Sequence, residues 1–396
     1  MDIFREFDVS SGAPEYVDGN THSDEATPNE EERALFDAAS KGDLITVQSL
    51  YASSNVDMLK KHNGMNPVHV ACMKGRLEIV EFFLSDAVGR AKEILEAKTD
   101  GCGKTLLILS CCEGNLDIVK TLVAAFERIN MNPLWKDAGD DECGNNALHH
   151  SAWSGQEEVV KYLVDKVGVS YEAKNREGRI AIDFAAAGDH LEVFEYLLSL
   201  ASSPLHSVKT ISGITPLHRC AMCKTGAMRV MSVILCRELV EVDATTSNGS
   251  TPLHLAVEHE NEGAVFLLFY FGADINKKND VGFSACHFAA MKGYESILHT
   301  LVFNGADCNA KSITGSTPVH SAAANGQSEI IEYLFHAHTS DEIDVKVSFD
   351  AVDENGATPM DDALSSGYKQ LATRLEVIAS NSMSDEAAQP HSVSEK

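Results

Sequence analysis

Thr251-Pro252-Leu253-His254-Leu255-Ala256-Val257, followed through Glu262 to Phe271 and closed by Gly272, decides how this chain folds. Pro252 stands where a helix begins, since a first-turn residue needs no amide hydrogen. Thr251 before it is a good N-cap. Leu253, Ala256 and Val257 recur at helical spacing. A second helix is expected from Glu262 to Phe271, with Gly272 as its C-terminal stop. Ala273-Asp274-Ile275-Asn276 then leads to the next turn. Neither helix is long enough to bury an apolar face alone, so such units must stack.

The same phrase returns along the chain. Asn66-Pro67-Val68-His69, Asn146-Ala147-Leu148-His149, Thr215-Pro216-Leu217-His218, Ser284-Ala285-Cys286-His287 and Thr317-Pro318-Val319-His320 repeat it closely. Thr105-Leu106-Leu107-Ile108, Ile180-Ala181-Ile182-Asp183, Thr358-Pro359-Met360-Asp361 and Arg33-Ala34-Leu35-Phe36 are weaker copies. Successive motif starts fall at 33, 66, 105, 146, 180, 215, 251, 284, 317 and 358. The longer steps require insertions around Ser85–Ile94, Arg128–Ala138 and His336–Phe349. The pattern resembles the ankyrin repeat, whose signature is Thr-Pro-Leu-His at a period near 33 residues. The resemblance implies an all-α ankyrin-repeat solenoid of about nine to ten helix-turn-helix units with short β-turn tips. It covers roughly residues 32–380 as one repeat domain, between an acidic, disordered tail at 1–31 and a polar, disordered tail at 381–396. The terminal units depart most from the pattern, as capping repeats do.

The six motif histidines invite a metal reading. Successive units lie roughly 10 Å apart, whereas zinc ligands converge at about 2 Å, so these histidines cannot share an ion. The resemblance implies instead that each hydrogen-bonds locally and ties its turn to a neighbour. No metal and no cofactor are expected.

Composition narrows the function classes. The chain of 396 residues has 59 acidic and 32 basic side chains, a formal net charge of −27. That disfavours nucleic acid and anionic membranes as partners. The start lacks a secretory apolar run. The longest apolar stretch, Ala264 to Phe271, falls well short of the roughly 20 residues of a membrane-spanning helix. The ten cysteines form no disulfide framework. Cys72, Cys111, Cys220 and Cys286 fall at positions for small core residues, so a reducing compartment is expected. The expected location is cytoplasmic or nuclear, and the protein is expected to be monomeric on its own.

The motifs for chemistry are incomplete. Gly103-Lys104-Thr105 ends like a P-loop, but the glycine required five positions earlier is Lys98, and no buried strand precedes it. Cys220-Ala221-Met222-Cys223 lacks a second cysteine pair for zinc, so core packing for Cys220 and partial exposure for Cys223 are expected. His336 and His338 with Asp341 are read as solvated. No catalytic constellation is found, and the expected role is not enzymatic.

The resemblance places partner binding on the concave side, formed by the turn tips and exposed ends of the first helices. There the expected contact residues are Trp153, Arg176, Arg179, Met222, His259, Phe283, Met291 and Lys292. Trp153 stands out because buried Trp and Arg anchors dominate interfaces; the competing reading folds it over a neighbouring helix as core. Trp135, in an insertion, is expected to pin that loop. The function expected is a scaffold, adaptor or inhibitor docking another protein. The narrower alternatives are an assembly chaperone for a multisubunit complex, as gankyrin is, an acidic chaperone for basic clients through the first tail, or a nucleotide switch at Lys104.

Overall fold

The computed structural model describes residues 30–386 apart from 54–56, 87, 101, 131–142, 225 and 341–344. Most of both expected tails, with Trp135, Gly101 and Asp341, lies outside these. Among the described residues there are no strands, only isolated bridges pairing His62 with Met65 and Lys98 with Thr105. Ten helix pairs follow one another, beginning with Glu30–Lys41 and Leu44–Ser53 and ending with Pro359–Ser365 and Lys369–Glu386. The first helix starts just before the expected boundary and the last runs past residue 380. The long motif steps are filled partly by helix: Ala91–Glu96 is an added segment, Leu116–Arg128 is an elongated second helix, and Ser328–Thr339 is another.

The described residues cluster into two compact units, one up to Ile211 and one from Ser212 onward. Each holds five helix pairs. Within a unit the first helices pack on one another, as Ala285–Lys292 does on Pro318–Ala324. The second helices form the adjoining layer. Both layers contribute fully buried apolar side chains, among them Phe83, Phe194, Leu217 and Met231. Each such side chain typically stabilises by about 1.5–3 kcal/mol.

Three hydrogen-bonded ladders hold successive repeats together. The first belongs to the motif histidines, which the resemblance assigns to just such ties. Nδ1 of His254 accepts from the N-cap amide of Thr251 at 3.0 Å, and Nε2 reaches the carbonyl of Phe283 in the next turn at 3.0 Å. His69, His149, His218, His287 and His320 repeat both contacts, reaching Ala97, Ala173, Ser250, Ser316 and Ala357. A nitrogen that accepts and another that faces a carbonyl require the neutral ring protonated at Nε2. Burial lowers the pKa of His69, His254 and His287 from 6.5 to about 4.

The second ladder is backbone to backbone at the turn tips. The amide of Asp280 donates to Asn248 at 3.1 Å, that of Ile313 to Val281 at 3.1 Å, and that of Glu354 to Thr314 at 2.9 Å.

The third is built from the residue just before six of the second helices. Arg76, Asn115, Gln156, His190, Asn261 and Gln327 send side chains to the carbonyls ending the preceding repeat's first helix: Ser40, Cys72, Cys112, Trp153, Cys223 and Met291, at 2.8–3.1 Å. Carbonyls at a helix end lack the amide four residues on that a longer helix would supply. At Gly75, Gly114, Gly155 and Gly293 the glycine after the first helix makes room for the tie. At Gly155 (φ +70°) a Cβ would lie 2.3 Å from His190 Nδ1, so glycine is needed both for the left-handed backbone and for clearance.

Candidate docking surface

In the first unit, the ring of Phe184 gathers the expected residues. Trp153 stands edge-on to it at 6.4 Å, His149 at 5.2 Å, and the Arg179 guanidinium lies over it at 5.5 Å. Arg179 also pairs with Glu177. Trp153 is half-buried, and its carbonyl accepts from His190 at 2.8 Å. Its ring packs edge-on against Phe184, in the next repeat's first helix. Arg176 is exposed, its amide donating to Cys143 at 3.1 Å.

In the second unit the expected residues separate. Met222 does not join an exposed strip: it is 4% exposed, and Cys223, expected to be partly exposed, is 6% exposed. The reason is local. The helix Pro216–Met222 ends with Cys223 in extended backbone, and the Cys223 carbonyl is held by Asn261, so both side chains turn inward. Phe283 is half-buried, stacked on His287 at 4.9 Å and edge-on to Phe288 at 5.9 Å. Met291 is half-buried and Lys292 exposed, at the far end of the helix that Ser284 caps. That eight-residue helix sets the tip and its far end about 12 Å apart. His259 is half-buried; burial, then the charge of Lys292, lowers its pKa. Burial raises the pKa of neighbouring Glu258 while Lys292 opposes it. Lys224 and Glu260 form an ion pair beside them.

The sequence reading placed binding on the turn tips but missed two residues there, Val281 and Ile313. Val281 is 56% exposed and Ile313 63%, on consecutive turns joined by the Ile313 amide to Val281 carbonyl bond. Lys278 donates to the Lys311 carbonyl at 2.8 Å, and Lys311 to that of Val352 at 3.2 Å. Two exposed aliphatic residues thus stand on turns that backbone and lysine hydrogen bonds tie together. The available signal was a β-branched aliphatic residue one or two positions before a turn glycine, where polar residues are the rule.

The other motifs are absorbed by structure. The Lys104 carbonyl accepts from the Thr99 amide and the Lys104 amide donates to the Thr99 hydroxyl, both at 2.9 Å, and Thr105 caps Leu106–Glu113 by accepting from Ile108 at 3.4 Å. His338 accepts from the Val347 amide at 3.2 Å and packs on Phe349, so it is a loop anchor, while His336 is exposed. Among the described residues no three metal-ligating groups converge. No described helix is long and apolar enough to cross a membrane. Cys72, Cys111, Cys220 and Cys286 are buried free thiols.

Comparison with known proteins agrees with this geometry. A family model described as "Ankyrin repeats (3 copies)" matches residues 35–133, 129–207, 184–279 and 286–377, and one described as "Ankyrin repeats (many copies)" matches 264–302. The nuclear factor NF-kappa-B p105 subunit of Gallus gallus is 25% identical over 62% of this chain and 24% of its own length. Rabankyrin-5 of Mus musculus is 29% identical over 45% of this chain and 15% of its own length. The probable 26S proteasome regulatory subunit p28 of Saccharomyces cerevisiae is 26% identical over 55% of this chain and 91% of its own length. The chain thus spans under a quarter of the first two relatives. Ankyrin repeats are protein–protein interaction modules, and by the extent of its matches and the geometry of its ten helix pairs this chain belongs to the ankyrin repeat family.

Proposed function

We propose that the protein is a non-enzymatic docking module that holds a partner protein on the turn tips and first-helix ends of its second unit. The observation that carries this is the pair Val281 and Ile313, apolar, exposed and fixed by a backbone hydrogen bond. Rigid apolar anchors lose little entropy on binding. Phe283, Met291, Lys292 and His259 extend the surface, and Lys278 and Lys311 suit a partner segment that mixes aliphatic side chains with carboxylates. In the first unit, Trp153, Arg176 and Arg179 form a separate candidate contact centred on Phe184. A scaffold or adaptor role follows. The narrower reading, an assembly chaperone, is supported by the p28 relative, matched over 91% of its length.

Affinity capture from a native extract with the full chain tests the reading. A Val281→Ser/Ile313→Ser variant is expected to lose its partner by roughly tenfold or more, as hot-spot truncations do, with unchanged circular dichroism and melting. Equal capture by both proteins would refute the surface.

A further inference from the structure

The second helices of the seventh and eighth repeats, Glu262–Tyr270 and Glu295–Phe303, have the same length and register, so Phe266 matches His299 and Tyr270 matches Phe303. A helix with one face in a core is ordinarily polar on the other. The first of these is apolar nearly all round, yet buries only Ala264, Val265 and Leu268. Phe266 is 66% exposed, Tyr270 76% and Phe303 74%. Phe266 and Tyr270 are four residues apart and share one stripe. The following loops are joined by Asn276, which donates to the Gly305 carbonyl at 3.2 Å and accepts from the Asp307 amide at 2.8 Å. The aromatic strip therefore continues across two repeats. It stops on either side: the matching positions are Ser232 and Cys236 in the sixth repeat, and in the ninth Glu332, paired with Arg374 at 2.6 Å, and His336.

Carboxylates border the strip. Glu262 and Glu295 open the two helices, and Asp274 and Asp307 follow them, all exposed. Aromatic surface rimmed by like charge is matched by a partner with apolar residues on one stripe and cations beside it. A second copy of this chain would set the same carboxylates against each other, and an anionic bilayer would be repelled by them.

We propose that Phe266, Tyr270 and Phe303, with Asp274 and Asp307, form a second docking surface for a basic amphipathic helix of another protein. It lies on the second-helix layer, away from the turn tips, so one repeat pair can hold two partners at once. The proposal does not depend on the turn-tip surface.

The test is fluorescence anisotropy on the full chain. The probe is a labelled peptide of about 18 residues, five turns of helix, carrying Leu on one stripe and Lys elsewhere; a Leu/Glu counterpart is the control. Only the Leu/Lys peptide is expected to bind. Phe266→Ser/Tyr270→Ser/Phe303→Ser should weaken it roughly tenfold or more. Asp274→Asn/Asp307→Asn should weaken it several-fold and flatten its salt dependence. Val281→Ser/Ile313→Ser should leave it unchanged. No binding by the intact chain, or equal binding by the triple variant, overturns the proposal. So does partition of the intact chain but not the triple variant onto phosphatidylcholine vesicles, or a dimer by sedimentation that the triple variant abolishes.

Discussion

Lowering the pH from 7 to 5 should destabilise the protein before its carboxylates titrate. His69, His254 and His287 are held neutral by burial, with pKa values of about 4 against 6.5 for the free side chain. A base whose folded pKa is depressed binds protons first in the unfolded state. Stability is therefore complete above pH 6.5, falls as the pH drops below it, and levels off near 4. At pH 5 the loss is about 2 kcal/mol per histidine, and together the three should lower Tm by on the order of 10 °C. The net charge of −27 works the other way, because partial neutralisation in acid relieves self-repulsion. Melts at about 0.5 M salt screen that repulsion and isolate the histidine effect. A His69→Gln/His254→Gln/His287→Gln variant should be less stable at pH 7.5 and show a shallower pH slope. A slope identical to the parent's would show that these rings are not the titrating groups.

Asn261→Ala should cost about 2–4 kcal/mol, the largest loss expected from any single ladder residue. Asn261 is 3% exposed. Its amide nitrogen is shared by the carbonyls of Cys223, Ala221 and Cys220 at 2.8, 3.2 and 3.4 Å, and its oxygen accepts from the Ala264 amide at 3.0 Å. Alanine would remove the acceptor of the helix-terminal Ala264 amide and the side-chain donor from three buried carbonyls, of which those of Cys220 and Cys223 keep backbone donors; a buried group left unpaired costs about 1–3 kcal/mol unless water enters, and each lost hydrogen bond about 1 kcal/mol. Gln327→Ala, which removes a single tie at 3.1 Å to Met291, should cost about 1 kcal/mol. Chemical denaturation of both variants measures the difference. A near-neutral Asn261→Ala would mean that the third ladder does not join the repeats.

The helix pairs were legible because their punctuation is chemical. Pro at the first turn, Thr or Asn as cap and a left-handed glycine at the end each leave a fixed letter in the sequence. The histidine ladder could be expected from the resemblance for the same reason. The third ladder was not legible: Arg76, Asn115, Gln156, His190, Asn261 and Gln327 share a donor group but no residue type. Burial was also harder to read where the frame shifts. Met222 fell on an exposed position by register, but the chain leaves its helix through Cys223 in extended backbone, where the matching cap His259 stays near-helical, and Met222 is turned inward. Trp153 was half-legible, since register places it at the surface while Phe184, 31 residues on, supplies the ring it rests against. The turn tips were read as part of the surface, but Val281 and Ile313 were not, because turn positions are ordinarily polar and these two are not.

The most direct test of the docking account is site-specific photo-crosslinking on the full chain in native extract. A benzophenone amino acid is placed in turn at Val281, at Ile313 and at Glu238, an exposed position on neither surface. The account predicts one common adduct from Val281 and Ile313 that is absent from Glu238. No adduct from the two turn tips, or the same adduct from all three positions, would contradict it.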